Sequence, residues 1–232
     1  MATVRDLGDL RGVVLSRRPK SPNVVASGAP LTTPGGHCWS LGGEVRGPED
    51  VRRMVRERVA QGADVVKVMA SGGVFTPGTD TAGTQFTDEE LAAAVDEAHA
   101  HGLPVTAHAH AHAAIWQALR AGVDGIEHCT SVTASGAYVD DELAEALAAS
   151  GVAVCLTLGS DPAVVVPPEV IAMAARAGLS QAILQQGVAR LRRAAYTIVR
   201  VGSGLVLTRM CWSWRVIRSL TSPRCGGRWR CI

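Results

Sequence analysis

Short apolar runs rich in β-branched residues recur along this chain, each followed by a stretch with helical spacing and a capping signal, and this alternation limits the folds open to it. Asn23-Val24-Val25-Ala26-Ser27-Gly28, Asp64-Val65-Val66-Lys67-Val68-Met69, Val105-Thr106-Ala107-His108-Ala109-His110, Asp124-Gly125-Ile126-Glu127-His128 and Val152 to Leu158 read as strands. Ala2-Thr3-Val4-Arg5-Asp6 reads as the end of another, so the chain is expected to begin in mid-domain. Helices fall between them. Pro48-Glu49-Asp50 opens one with Val51, Met54, Val55 and Val59 as its apolar stripe, and Thr87-Asp88-Glu89-Glu90 is a capping box for another that runs to His101 and stops at Gly102. A third helix passes through Ile115 and Leu119 to Gly122, and a fourth spans Asp140 to Ser150. Nearly continuous apolar strands alternating with helices imply parallel strands with helices outside, in a barrel or in an open doubly wound sheet.

Polar residues decide between these two. Lys67, His108 and His128 lie in or at the ends of three successive strands, where side chains converge on the C-terminal mouth of a (β/α)8 barrel. No GxGxxG follows a strand, which leaves a dinucleotide fold with little support. Ala29 to Gly47 and Ala70 to Phe86 are long, glycine-rich loops of the kind that carry function. With 232 residues the chain suffices for one domain.

Charge is unevenly spread. Residues 1–169 hold all 21 acidic side chains and 12 basic ones, whereas residues 170–232 hold 11 arginines and no acid. The late stretch also carries Cys211, Cys225, Cys231, Trp212, Trp214 and Trp229. The six cysteines are scattered without a CxxC pair, which fits reduced thiols. No apolar run is long enough to span a membrane, and the start lacks the apolar core of a signal peptide. No membrane association and a cytoplasmic location are therefore expected.

Two neutral imidazoles with an oxygen ligand make most of a zinc hydrolytic site. Among Val65, Val66, Val68 and Met69, the Lys67 ammonium is costly to desolvate, so a neutral amine becomes accessible. Such an amine reacts with carbon dioxide to give a carbamate, an anionic bidentate ligand able to bridge two metal ions. Other readings of the same residues stand beside this one. Lys67 could pair with Asp64 or Glu127, or form a Schiff base as in aldolase-type barrels. His108 and His128 could be hydrogen-bonded core histidines, and His110 either faces substrate or is structural. His99 and His101 complement a helix dipole, His112 starts a helix, and Arg5-Asp6 reads as a structural ion pair.

Val66-Lys67-Val68-Met69-Ala70-Ser71-Gly72-Gly73, Thr106-Ala107-His108-Ala109-His110 and Gly122-Val123-Asp124-Gly125-Ile126-Glu127-His128 resemble the fourth, fifth and sixth strands of the metal-dependent amidohydrolases, in particular the imidazolonepropionase-like and prolidase-like branch. Leu31-Thr32-Thr33-Pro34-Gly35-Gly36-His37 and Thr3-Val4-Arg5-Asp6-Leu7-Gly8 are similar to that branch too. The resemblance covers roughly residues 2 to 195. It implies an incomplete (β/α)8 TIM-type barrel, with Lys67 as the carboxylated lysine bridging one or two divalent ions, zinc foremost. It implies His108 and His128 as the other metal ligands, and His37 and His110 near the substrate. The substrate it implies is a small molecule with an amide-like carbon–nitrogen bond: a dipeptide ending in proline or a basic residue, or a cyclic amide.

Two features of the family pattern are missing. No residue supplies the His-x-His pair of the first strand, and Tyr196-Thr197-Ile198-Val199-Arg200-Val201-Gly202 stands where the family's eighth strand ends in a metal-binding aspartate. Residues 1–194 are thus read as a partial barrel and 195–232 as a divergent basic tail, such as a frameshift would give. The arginine-rich ending is read as uncontrolled sequence and not as a nucleic-acid surface, which keeps a basic-tailed binding protein only as a third reading. Beside the hydrolase reading stands a second, an inactive incomplete barrel without a function of its own, and open sheet edges lead us to expect self-association.

Overall fold

The structure, a computed structural model, describes residues 3–18, 23–137, 140–155, 196–201 and 204–209. The first strand, β1 (Thr3–Asp6), is followed by a 3-10 turn at Leu10–Gly12 and the short helix α1 (Val13–Ser16). β2 (Asn23–Ala26) returns parallel to β1, with Val4 opposite Val24. Then come α2 (Pro48–Ala60), β3 (Val66–Met69), α3 (Asp88–Ala100), β4 (Val105–Ala111), α4 (His112–Ala121) and β5 (Gly125–Thr133). A two-residue strand, β6 (Gly136–Ala137), folds back on the end of β5 before α5 (Asp141–Ser150) and β7 (Ala153–Cys155). β3, β4, β5 and β7 pair in parallel in that order. β2 joins them through the residues that follow it, because the Leu31 N–H donates to the Lys67 carbonyl at 2.8 Å and the Met69 N–H to the Leu31 carbonyl at 2.9 Å.

Local chemistry sets these boundaries. Thr87 accepts from the Glu90 N–H at 3.2 Å while Glu90 accepts from the Thr87 N–H at 2.9 Å, so the expected capping box is formed. Asp140 caps α5 through the Leu143 N–H at 2.7 Å. Val51 and Val55 of α2, Leu91 and Val95 of α3, Ile115 of α4, and Leu143 and Leu147 of α5 are all buried against Val66, Val68, Val105, Ala107, Ile126 and Val154 of the strands. Alternation then turns Lys67, Thr106, His108, His110 and Glu127 to the opposite, inner side of the sheet. That is the arrangement expected of an incomplete barrel.

The last described strands break the parallel pattern. β8 (Tyr196–Val201) and β9 (Gly204–Arg209) form a hairpin, and β9 pairs antiparallel with β7, Val154 facing Leu207. The stretch expected in place of an eighth parallel strand is therefore the outer arm of a hairpin. Reading Val152 to Leu158 as one strand agrees with β7 as far as Cys155, and its remainder lies outside the described residues. Among the described residues no helix is long and apolar enough to cross a membrane.

The loop after β2 is held by close backbone packing. Thr32 N–H donates to the Gly43 carbonyl at 2.9 Å, and a Cβ on Gly43 would lie 1.9 Å from the Pro30 carbonyl oxygen. Gly43→Ala is expected to cost about 2–3 kcal/mol in urea unfolding, since the clash is with backbone. Gly35→Ala, whose cost is only that of a φ of +69° in open space, is expected to cost about 1 kcal/mol. Equal losses for the two variants would contradict this packing.

Candidate metal centre

Three adjacent strands bring the polar residues of the inner face together. Lys67, from the middle of β3, is 4% exposed, and its ammonium makes no hydrogen bond among the described residues. Burial lowers its pKa to about 8, the negative charge of Glu127 only partly opposing this. Roughly a tenth of the side chain is then a neutral amine at pH 7.

Four imidazoles gather beside it. The rings of His108 and His110, two residues apart on β4, are 4.6 Å apart, and His128 of β5 lies 4.7 Å from His108 and stacks on His110 at 4.5 Å. Ligand atoms of His108, His110 and His128 all fall within 4.8 Å of one another. His37 comes from the loop after β2 and lies 4.5 Å from His108. Gly73 makes room for it, because a Cβ there would sit 2.4 Å from the His37 ring.

Hydrogen bonds orient each ring. The His108 Nε2 faces the Gly72 carbonyl at 3.2 Å, and a carbonyl only accepts, so Nε2 carries the hydrogen and Nδ1 the lone pair. His110 Nδ1 is 2.6 Å from the Thr130 hydroxyl, and its backbone N–H donates to the Ser71 hydroxyl at 2.9 Å. His37 Nδ1 is 2.9 Å from the Thr76 hydroxyl, which also accepts from the Cys38 N–H at 3.0 Å. Partners of this kind fix ring orientation ahead of any ligand.

A backbone irregularity completes the cluster. Glu127 and His128 are consecutive, yet both reach the inner side: Glu127 accepts from the Thr106 hydroxyl at 2.8 Å, while His128 contacts His108 and His110. Strand alternation alone would send one of them outward. Left-handed φ angles of 71° at His128, 51° at Cys129 and 57° at Ser131 turn the chain, and the register slips so that Ala109 faces His128 but Ala111 faces Val132. This is a β-bulge, a device that re-aims side chains beside functional sites.

Electrostatics keeps the imidazoles neutral. Burial, with neighbouring positive charge adding to it, lowers His37 to about 4, His110 to about 2 and His128 to about 4, and puts His108 well below its ordinary value. Each ring therefore offers a lone pair at pH 7, as metal ligation requires. Burial would raise Glu127, but the Lys67 and Arg5 charges and the Thr106 hydroxyl overcome it and hold the carboxyl at about 2.

Several expectations are corrected by this geometry. Arg5 pairs not with Asp6 but with Glu127, at 2.6 Å and 122 residues away. Asp64 does not serve Lys67, because it holds Arg18 at 2.6 Å and the Ala26 N–H at 2.9 Å. His99 and His101 sit near the end of α3 and also engage carboxylates, Asp124 at 2.9 Å and Glu97 at 3.3 Å. Sequence reasoning missed Thr130 and Ser71 and gave Arg5 the wrong partner, because these roles depend on contacts between distant segments that no local spacing encodes.

The buried amine and the converging neutral histidines lie together on the inner face of the parallel strands, where His108, His110 and His128 could hold a metal ion. The chain belongs to the amidohydrolase family, which is generally metal-dependent and which residues 10–203 match. Ochratoxinase of Aspergillus niger is 35% identical over 156 residues, spanning 56% of this chain and 31% of that protein. A prolidase solved with N-methylphosphonate-L-proline superimposes with a TM-score of 0.67 at 32% identity, over 84% of this chain and 52% of the other. A Xaa-Pro dipeptidase with bound methionine gives 0.66 at 28% identity, again over 84% and 52%. The chain thus spans about a third of that curated relative and half of these solved structures.

The depressed histidines carry a pH signature in the metal-free chain. Between their folded values and the ordinary 6.5, the unfolded chain binds protons that the folded chain does not, so stability is full above about 6.5 and falls as pH drops. The limiting slope is about 1.4 kcal/mol per pH unit for each such group. The urea midpoint is expected to fall between about pH 7 and pH 5, and His110→Gln to flatten that fall. A midpoint unchanged over this range would contradict the assignment.

Proposed function

We propose that this chain forms the metal-holding part of a hydrolase that cleaves amide-like carbon–nitrogen bonds. The observation that carries the reading is the convergence of His108, His110 and His128 within 4.8 Å beside a buried Lys67 whose ammonium makes no hydrogen bond among the described residues. Lys67, His108 and His128 would hold one or two divalent ions, zinc being suited to imidazole donors. Lys67 would take part after its neutral amine adds to carbon dioxide, forming an N–C bond and losing a proton to solvent. His110, which reaches the same cluster, and His37, beside His108, would face the substrate amide.

A bound divalent ion would supply Lewis acidity at the scissile carbonyl and lower the pKa of a water nucleophile. The protein's own part is preparation. His108 is oriented by Gly72, His110 by Thr130 and His37 by Thr76, so donor atoms are aimed without reorganisation. Glu127, charged and held by Arg5 and Thr106, balances positive charge beside Lys67. Dipeptides ending in proline are the first substrate class to test, which the similarity to a prolidase and a Xaa-Pro dipeptidase supports; dipeptides ending in a basic residue and small cyclic amides follow. The proposal divides the chain into a partial barrel over residues 1–194 and a divergent basic tail over 195–232. It includes a cytoplasmic setting, in keeping with free Cys38 and Cys129, and self-association through open sheet edges.

The antiparallel hairpin favours a second reading, a catalytically inactive incomplete barrel with no activity of its own. No acid occurs after Glu169, and losing a general base costs about 10²–10⁴ in rate. Incubation with zinc, bicarbonate and Xaa-Pro dipeptides, followed by assay of released amino acid, tests the first reading. Hydrolysis is expected to be slow, to stop with a chelator, to return with zinc, and to fall at least about 10²-fold in Lys67→Ala. Hydrolysis indifferent to the chelator would refute metal dependence, and metal uptake without any turnover would establish the second reading.

A further inference from the structure

The β-bulge that turns His128 inward is clamped by a residue with no part in the site so far. His112, the first residue of α4, directly follows the strand that carries His108 and His110. Its Nδ1 lies 2.9 Å from the Ser131 hydroxyl, and the Trp116 indole N–H donates to its Nε2 at 3.0 Å. An indole nitrogen can only donate. His112 Nε2 must therefore carry a lone pair, which puts the ring hydrogen on Nδ1 and makes His112 the donor to Ser131. This excludes a Ser131–His112 nucleophile pair, since neither ring nitrogen is left to take the serine proton.

Ser131 is fully buried and has a φ of 57°, the last left-handed residue before Val132 rejoins Ala111 in register. The residue before it, Thr130, is 5% exposed and holds His110 Nδ1 at 2.6 Å. The bulge begins at His128, which stacks on His110. Fixing the Ser131 hydroxyl thus fixes both the threonine that orients His110 and the turn that presents His128.

We propose that His112, with its tautomer set by Trp116, is a positioning residue for the metal centre, acting through Ser131 on His110 and His128. The proposal rests on the metal-centre reading above, and its test separates the two. In metal-free protein with ¹⁵N-labelled histidine, His112 is expected as the Nδ1–H tautomer, and Trp116→Phe, which keeps the packing but removes the donor, is expected to give a mixture. In competition with a chelator, cobalt(II) affinity is expected to fall about tenfold in Trp116→Phe and about 10- to 100-fold in His112→Ala, with a changed visible spectrum. His112→Asn, whose amide can still donate to Ser131, is expected to recover most of the affinity, and the metal-free thermal midpoint of Trp116→Phe to stay near wild type.

Wild-type affinity and spectrum in both Trp116→Phe and His112→Ala would overturn the proposal. So would losses in His112→Asn equal to those in His112→Ala and matched by equal thermal losses, which would mark a structural role alone. A wild-type chain that takes up no cobalt overturns the metal-centre reading, and the positioning role with it, whatever the tautomer of His112.

Discussion

Burying a carboxylate among cations on the inner face of the sheet is the constraint on which the other features turn. Glu127 is 5% exposed and is held by Arg5 from β1 and Thr106 from β4, with the Lys67 charge close enough to depress its pKa. Leaving such a carboxylate without its arginine would cost on the order of 3–5 kcal/mol. The pair also ties the first described strand to β5, a link that no backbone ladder supplies, since β1 pairs with β2 and β5 with β4, β6 and β7. Lys67 shares this charge cluster, but its ammonium makes no hydrogen bond among the described residues, which leaves that nitrogen available for chemistry.

With Glu127 committed to the inner side, His128 can reach the same side only if the backbone abandons strand geometry. Left-handed φ values in non-glycine residues are sparsely populated and persist where the surroundings over-determine them. Here the surroundings are specific: Ala111 and Val132 restore the register, and the side chains of Thr130 and Ser131 each meet a histidine of β4 or α4. The strain at the end of β5 and the convergence of the imidazoles are one feature seen from two sides.

Much of this could be read from residue order. Periodicity placed β3, β4, β5 and the helices between them, and the lysine and histidines interrupting apolar strands marked the inner face. Thr87 and Glu90 announced a helix start because a capping box is a contact three residues long. Long-range features could not be read so. The partner of Arg5 lies 122 residues away, and a two-residue period gives no sign that His128 leaves it. The hairpin at Tyr196–Val201 and Gly204–Arg209 has β-rich sequence, but its antiparallel sense depends on the strand it meets.

Zinc content per chain, measured by elemental analysis on protein expressed with zinc and bicarbonate, tests the central claim most directly. About one to two equivalents in the wild type, falling in Lys67→Ala and in His108→Ala, is the result expected of a centre built from β3, β4 and β5. Wild-type protein that emerges folded but without metal would contradict it, and the histidine cluster would then be a buried hydrogen-bonded core.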